Sequence, residues 1–446
     1  MNKARIILLK SILIIAAPAI IEMSLNTMLM VADTIMVGQL IDKQALSAVG
    51  IANSIMFTMI FVFSSFNTGA IAMISRSFGE KNMPKAKDVA QTNLALNLII
   101  GIAVALLAFL LKPILFMPYQ IEPLVTSHLH IYYDIVVAGM LFQFLSFAFA
   151  SISRGVGDTK TPMYITGFAV VTNIILNYVL IAGWSVFPEM GIAGAALATT
   201  IARIMSFSIY VFIIFGGRHK LSLSLKNIHL NRSILKPLWK ISYPGAVEQF
   251  LMQTAFLVLG IIITTLSTDS EALFRILLNI ESTSFMPAVG ISIAAATLVG
   301  QSLGEKDPDK AYEIGLLSGY ISVMWGVIIG IIFFVFPKSI LGLFTPDQVI
   351  IQMGIVVMMV FAFNQPLLNF NIAMSGALRG AGDTSIVMRL TSMRLWLIFI
   401  PGTYLCVMVL KTGVVGLWYA EILSFLLFSF IMLKRFKSRK WAYIEL

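Results

Sequence analysis

The sequence has little charge and almost no cysteine. Only 12% of its 446 residues are Asp, Glu, Lys or Arg, about half of the share in an average soluble domain. A soluble protein of this length could not cover its surface with so few charges. Cys406 is the single cysteine, which excludes an internal disulfide bond. The four histidines have no metal-ligand spacing, and there is no Walker A sequence, so neither a zinc site nor a built-in ATPase is expected.

Hydrophobic residues are abundant instead. They make up 59% of the chain, the mean hydropathy is +0.92, and apolar runs long enough to cross a hydrocarbon layer of ~30 Å recur throughout. These runs are too long and too continuous for barrel strands. The sequence therefore predicts an all-α integral membrane protein with twelve transmembrane helices, at about 11–38, 45–74, 88–111, 129–152, 162–183, 191–215, 237–267, 272–300, 313–336, 348–376, 386–409 and 413–433. The first run has no signal-peptide cleavage site and is expected to be retained.

The net charge of +10 follows the predicted topology. With a cytoplasmic N-terminus, 23 Lys and Arg residues fall on the cytoplasmic side and five on the outer side. This bias predicts a multi-pass protein of the cell (inner) membrane with both termini in the cytoplasm. The positive charge is thereby explained without nucleic acid, which we do not expect as a partner, and we expect a monomer in the lipid bilayer.

Four landmarks occur twice in the same order. SFGEKNMPKA at 77–86 matches SLGEKDPDKA at 302–311, and RGVGDT at 154–159 matches RGAGDT at 379–384, both at an offset of 225 residues. PAIIE at 18–22 also matches PGAVE at 244–248, and GIAG at 191–194 matches GVVG at 413–416. The chain is therefore predicted to contain two six-helix lobes related by a pseudo-two-fold axis along the membrane normal. The predicted limits are 1–215 for the N-lobe, 216–236 for a cytoplasmic linker and 237–446 for the C-lobe.

Comparing the two halves distinguishes structural residues, which occur in both, from candidate functional residues, which occur in only one. Both halves contain the RGxGDT turn, where glycine permits a tight turn and Asp158 or Asp383 could accept N–H groups of the next helix. Asp33 has no such counterpart, because Leu259 stands at the equivalent position. Two asparagines of the predicted fifth helix, Asn173 and Asn177, also lack polar counterparts.

Helical spacing places these polar residues on common faces. Glu22, Asn26 and Asp33 fall within about 40° of one another on the first helix, and Asn173 and Asn177 are one turn apart. A carboxylate facing lipid would cost roughly 2.5–3.5 kcal/mol, so both stripes are predicted to face the protein interior. Asp33 is then a candidate for binding an ion or a proton, the alternative being that it only hydrogen-bonds neighbouring helices together.

The motifs and the duplication resemble the multidrug and toxic compound extrusion (MATE) family, in its NorM/DinF-like bacterial type. The residues that carry the resemblance are ADTIMVGQL at 32–40, LVGQSLGE at 298–305 and both RGxGDT turns. The resemblance covers essentially the whole chain. It implies the fold of the MATE and MOP transporters and a cation-coupled antiporter that exports amphiphilic, often cationic organic compounds by alternating access. H+ or Na+ would be the coupling ion, and no cofactor is implied.

The resemblance also implies roles for particular residues. Asp33 aligns with the first-helix acid of the family, and Pro18 with the proline at which that helix bends, so Pro18 is a predicted hinge. The family's fifth-helix motif NxxLD reads NIILN here, so its second acid is replaced by Asn177. Asp33, Asn173, Asn177 and Thr199 form the predicted cation-coupling set, and no metal is expected beyond Na+ at Asp33.

Further acids and an amide are candidates for the substrate cavity: Glu22, Asn26, Glu248 and Glu281. Of these, Glu281 aligns with Met56 and thus has no counterpart in the first half. Some relatives place cation-binding acids in the seventh and tenth helices. The corresponding positions here are Met252 and Leu368, so that C-lobe cation site is expected to be absent.

Two other functions make different demands on the sequence. A flippase for lipid-linked oligosaccharides, from the same superfamily, would need a strongly cationic cavity, for which Arg203, Arg389 and Arg394 are the available residues. An intramembrane enzyme would need a catalytic pair, and neither HExxH nor a Ser–His arrangement occurs at membrane depth. The sequence therefore predicts a transporter and not an enzyme.

Overall fold

The computed structural model describes residues 3–117, 119, 122–184, 187–444 and 446. The regular elements among them are all helical, as expected where no water is available to satisfy backbone N–H and C=O groups. The α-helices are α1 (Lys3–Leu40), α2 (Lys43–Ser64), α3 (Asn67–Gly79), α4 (Met83–Leu110), α5 (Lys112–Phe116), α6 (Pro123–Ala138), α7 (Met140–Gly155), α8 (Lys160–Ala182), α9 (Gly191–Phe215), α10 (Arg232–Thr264), α11 (Thr268–Gly304), α12 (Pro308–Val335), α13 (Pro337–Gly342), α14 (Gln348–Gly380), α15 (Thr384–Met393), α16 (Ile400–Tyr404) and α17 (Val415–Lys437).

The predicted membrane spans are confirmed. Among the described residues, eleven helical segments are long and apolar enough to cross a membrane, and α6 with α7, which meet at 43°, pass the same test as a pair and make the number twelve when taken as one span. Most spans extend beyond their predicted limits, because capping residues lie outside the apolar runs. Asp42 and Asp307, for example, accept backbone N–H groups at the starts of α2 and α12.

Some local elements were not predicted. The short helices α5 and α13 begin 225 residues apart and each follow the third long span of their half. The eleventh span is also interrupted by two π-helical segments, Arg394–Phe399 and Leu405–Val409. Periodicity does not reveal such a widened turn, because apart from Arg394 both segments consist of hydrophobic residues in either kind of helix.

By packing, the chain divides into two compact units. The first unit is Ile21–Ser242, and the second unit consists of Met1–Ile20 together with Tyr243–Leu446. The first part of α1 thus belongs to the second unit. The lobe limits of 1–215 and 237–446 were drawn from the sequence repeat, whereas the two units are defined by how residues pack. The lobe limits therefore stay a prediction.

The backbone repeats the landmarks of the sequence. Gly157 and Gly382 of the two RGxGDT turns have φ values of 81° and 87°, which explains why glycine stands there. Asp158 accepts the N–H groups of Lys160 and Thr161, each at 3.1 Å, as predicted for a helix start.

The equivalent Asp383 makes no such capping bond. Its carboxylate instead accepts a hydrogen bond from Arg435 Nε of α17 at 2.8 Å, and Arg435 Nη2 lies 2.7 Å from the same Oδ2 atom in an ion pair. Burial raises the pKa of Asp383, and the Arg435 guanidinium partly offsets that effect. A long-range partner has therefore replaced the local cap in the second half.

Small residues bring α11 and α14 into backbone contact in the second unit. A Cβ atom added at Gly380 would lie 2.5 Å from the Cα of Ala296, and one added at Gly376 would lie 2.8 Å from the Cα of Ser292. Glycines four apart on one helix face allow this close approach, which is a common way of packing helices in membranes.

We expect Gly380→Ala to lower the unfolding temperature in detergent, because the added methyl group meets backbone atoms that cannot move away. Overpacking of this kind costs about 1–3 kcal/mol. Gly342→Ala is the matched control, since its Cβ would meet nothing within 4 Å. Equal unfolding temperatures for the two variants would contradict the contact.

The segment between α9 and α10 packs within the first unit. Leu221 and Leu223 are buried, and the Leu223 N–H donates to the Ile214 carbonyl at 3.2 Å. His219 is also buried, its Nδ1 accepts the Leu221 N–H at 3.1 Å, and its Nε2 lies 3.6 Å from Asp158 Oδ2. Burial lowers the pKa of His219, so the folded segment favours the neutral ring.

A lowered pKa means that the folded state binds this proton less tightly than the unfolded state. The stability that accompanies neutral His219 is complete above its ordinary pKa of about 6.5 and is lost as the pH falls through the lower pKa of the folded state. We therefore expect His219→Gln to flatten the acid side of the unfolding temperature plotted against pH. His229→Gln, at an exposed position of the same segment, should leave that curve unchanged; an unaltered curve for His219→Gln would refute the assignment.

Candidate cation-coupling site

The four residues predicted for cation coupling lie in one hydrogen-bonded chain. Asn177 Nδ2 donates to Asp33 Oδ1 at 2.5 Å and to Asn173 Oδ1 at 2.9 Å. Asn173 Nδ2 in turn donates to Thr199 Oγ1 at 3.4 Å. The chain connects α1, α8 and α9 inside the first unit, so the polar residues that only the first half contains do meet in space.

Local structure positions this chain. Asn173 and Asn177 lie one turn apart on α8 and are buried, whereas Asp33 is half-buried. The connected ends of α8 and α9 lie close together, because the Met190 N–H donates to the Leu180 carbonyl at 3.0 Å. A close antiparallel pair of helices therefore holds both asparagines opposite Thr199.

The site retains an unused acceptor. Asn177 Oδ1 is buried and has no hydrogen-bond partner in the part of the chain that the structure describes, which is costly unless a ligand or proton donor meets it at some stage. Among the described residues, no group of three or more His, Cys, Asp or Glu residues could hold a metal ion. A cation bound at Asp33 would thus be held by one carboxylate and by amide or hydroxyl oxygens, which suit hard cations.

Three residues around the site were missed from the sequence. The hydroxyl of buried Tyr132 interacts with the side chains of Thr199 and Asn53. Arg203 acts electrostatically on Asp33 and donates to the Val136 carbonyl at 3.3 Å. Arg203 could have been predicted to lie near the site, because it follows Thr199 by one turn of α9 and so lies on the same face of that helix.

Two of the predicted cavity acids are in ion pairs. Glu22 Oε1 accepts from Arg154 Nη2 at 2.6 Å in the first unit, and Glu248 Oε1 accepts from Arg379 Nη2 at 2.8 Å in the second unit. Both glutamates are almost fully buried. The arginines are those of the two RGxGDT turns, so the same pair is built in each half.

The other first-helix candidates lie apart from this pair. Asn26 is exposed, and its Nδ2 donates to the Glu22 carbonyl oxygen at 3.1 Å. Pro18 lies inside α1, which is one continuous helix from Lys3 to Leu40. The three polar residues predicted to form one stripe on the first helix thus have three different environments. Glu22 is in an ion pair, Asn26 is exposed, and Asp33 is hydrogen-bonded to Asn177.

The MatE family model matches residues 18–179 and 244–405, which are the two halves of the repeat. The chain belongs to the MatE family. Since this is a family of transporters and not of enzymes, the protein is a multi-pass membrane transporter, as the sequence predicted.

Full-length relatives agree with this family. The chain is 30% identical to the "Probable multidrug resistance protein NorM" of Thermotoga maritima, over 97% of this chain and 93% of the relative. It is also 30% identical to the "Uncharacterized transporter YisQ" of Bacillus subtilis, over 95% and 93%.

Solved structures have the same fold. A MOP superfamily transporter from Pyrococcus furiosus is similar with a TM-score of 0.90, 22% identity and 98% coverage of each chain. An outward-facing MATE family transporter of the MOP superfamily has the same TM-score and identity and 99% coverage of each chain. The all-α fold predicted from the sequence is therefore that of the MATE and MOP transporters.

The remaining predicted cavity residue of the transporter, Glu281, is buried in the second unit. It interacts electrostatically with Glu421 and Arg394, which were not predicted together with it. The tenth span is also less apolar than Leu368 suggested, because three buried amides flank that position, namely Asn364, Gln365 and Asn369.

The Glu248–Arg379 pair gives a stability prediction. Arg379→Met leaves the Glu248 carboxylate buried without its partner, which should cost about 3 kcal/mol of unfolding free energy. The double variant Arg379→Met with Glu248→Gln removes the buried charge and should recover part of that loss. Unfolding temperatures in detergent would measure both, and a double variant less stable than Arg379→Met would refute the account.

Proposed function

We propose that this transporter exports small amphiphilic, often cationic organic compounds in exchange for entering H+ or Na+ by alternating access. The observation that carries the proposal is the chain from Asp33 through Asn177 and Asn173 to Thr199. A half-buried carboxylate in a membrane span is expensive unless it has a function. Here the carboxylate accepts a hydrogen bond from the Asn177 amide, whose own oxygen has no hydrogen-bond partner among the described residues.

In the proposed cycle, Asp33 is ionised in the outward-facing state and attracts a cationic substrate. The entering H+ or Na+ neutralises the carboxylate, α1 bends near Pro18, and the substrate leaves. Neither ligand reacts covalently, because exchange requires only that each binds the two conformations with different affinity. Neutralising Asp33 would change its hydrogen bond with Asn177 and thereby affect α8, since the Asn177 amide contacts the carboxylate directly.

The relatives support the substrate class. Several of them are called multidrug resistance proteins, among them NorM proteins of Thermotoga maritima and Pasteurella multocida. We propose the same class of compounds for this chain. We also propose, from the charge bias of the sequence, a monomer in the cell membrane with both termini in the cytoplasm.

The oligosaccharide flippase has less support. It would need uncompensated positive charge at membrane depth to bind a pyrophosphate. Arg203 lies near Asp33, and Arg394 lies near Glu281 and Glu421. Both arginines are therefore accompanied by acids, and Arg389 is exposed.

Proton and sodium coupling make different demands on the same residues. Sodium would use the carboxylate together with amide and hydroxyl oxygens, whereas a proton needs only the carboxylate. Both ions would have to neutralise Asp33 while Arg203 stays charged nearby. Imposing a pH gradient and a Na+ gradient separately distinguishes the two coupling ions.

The test is substrate exchange in proteoliposomes with pH and Na+ gradients imposed independently. We expect one gradient to drive export by the native protein, and Asp33→Asn to lower that driven rate roughly tenfold or more. Asp309→Asn, at an exposed acid of α12, should leave the rate unchanged. If Asp33→Asn still exchanges at the native rate under both gradients, Asp33 does not couple transport to a cation.

A further inference from the structure

The second unit contains a buried charge cluster of its own. Glu281 lies on α11, Glu421 on α17, and Arg394 begins the first π-helical segment. Their exposed fractions are 7%, 5% and 7%. All three lie within predicted membrane spans, where a charge without a partner is strongly disfavoured.

The charges of this cluster do not balance. Arg394 attracts both Glu281 and Glu421, and the two carboxylates repel each other. Glu248 also acts on Arg394, but its charge is already compensated by Arg379 at 2.8 Å. Two buried carboxylates therefore share one guanidinium, and ionising both would leave a net negative charge in a medium that solvates it poorly.

Arg394 is held in place by other contacts. Its Nη1 donates to Ser424 Oγ at 3.2 Å, and its guanidinium lies over the Phe425 ring at 3.9 Å from the centroid. Among the described residues it has no carboxylate oxygen within ion-pair distance of 4.0 Å. It therefore offsets negative charge nearby without neutralising either glutamate by direct contact.

The two glutamates have different hydrogen bonds. Glu421 Oε2 accepts from Asn364 Nδ2 at 2.8 Å, which favours the ionised form of Glu421. Glu281 Oε1 is buried and has no hydrogen-bond partner among the residues described, and the same is true of Asn364 Oδ1. A carboxylate oxygen without a donor is unfavourable, whereas protonation would turn the Glu281 carboxyl into a donor.

The repeat places this cluster at an equivalent level to the Asp33 site. Counting from GIAG at 191–194 and GVVG at 413–416, Thr199 of α9 corresponds to Glu421 of α17. Arg203 corresponds in the same way to Phe425, over which Arg394 lies. In each half an acid and an arginine thus lie near each other, one of them on the last helix, although they come from different positions of the repeat.

We propose that the second unit binds a proton at the Glu281–Arg394–Glu421 cluster, with the proton on Glu281 and the negative charge on Glu421. Such an arrangement gives the cluster a net charge of zero. Release of that proton would leave the cluster with a net negative charge. The fraction of Glu281 that is protonated should therefore change when the charges or the solvent around the cluster change. Sodium fits less well, because the guanidinium would repel a second cation held in the same enclosed space.

The role of this proton in transport rests on the proposed function, but its binding does not. In the exchange cycle it would be a second coupling proton besides the cation at Asp33. The decisive experiment therefore measures protonation of the purified protein directly and without transport.

The measurement is the infrared absorption of protonated carboxyl groups in detergent, followed over roughly pH 5 to 9. We expect the native protein to show a carboxyl band that disappears as the pH rises, and Glu281→Gln to remove that band. Glutamine has the shape of protonated glutamic acid, so this variant should fold. Asp309→Asn, the surface control, should keep the band.

Glu421→Gln provides a second and independent variant. With one carboxylate left for Arg394, Glu281 should ionise more easily, and its band should disappear at a lower pH than in the native protein. A native band that survives Glu281→Gln unchanged, or one that titrates identically in Glu421→Gln, would overturn the proposal. Asp33→Asn separates the two hypotheses, since it should retain the Glu281 band even if Asp33 proves to have no part in coupling.

Discussion

A charge placed in hydrocarbon has to be compensated within the protein, because no water or counterion is available there. This constraint accounts for most of the polar architecture of the chain. In each half a glutamate is paired with the arginine of an RGxGDT turn, Glu22 with Arg154 and Glu248 with Arg379. Both pairs are inherited by duplication and compensate their charges by direct contact.

The acids outside those pairs lack such simple compensation. Asp33 is contacted by an amide and lies near Arg203, while Glu281 and Glu421 share Arg394. Incomplete compensation is what makes a buried group able to gain or lose a proton or ion. The acids in direct ion pairs thus belong to the scaffold, and the acids without such a pair are the ones that could couple transport to a cation.

Much of this was predictable from the sequence. Hydropathy gave the twelve spans, the motifs gave the duplication, and helical spacing placed Asn173 and Asn177 on one face, where the structure links them to Asp33. Tyr132, Arg203 and the Glu281 cluster were harder, because their partners come from distant helices and no single-helix pattern contains them. The ion pairs of Glu22 and Glu248 were also missed, although both partners belong to repeated motifs and the repeat itself held that information.

The division of α1 between the two units bears on how the chain is made. Ile20 packs so closely against Gly290 of α11 that a Cβ atom there would lie 2.7 Å from the Ile20 nitrogen. During synthesis the first part of α1 therefore has to wait until most of the protein has emerged before it meets its partner. Such long-range contacts form late and leave apolar surface exposed in the meantime. A segment that is synthesised before its partner is thus among the last parts of the protein to reach its final packing.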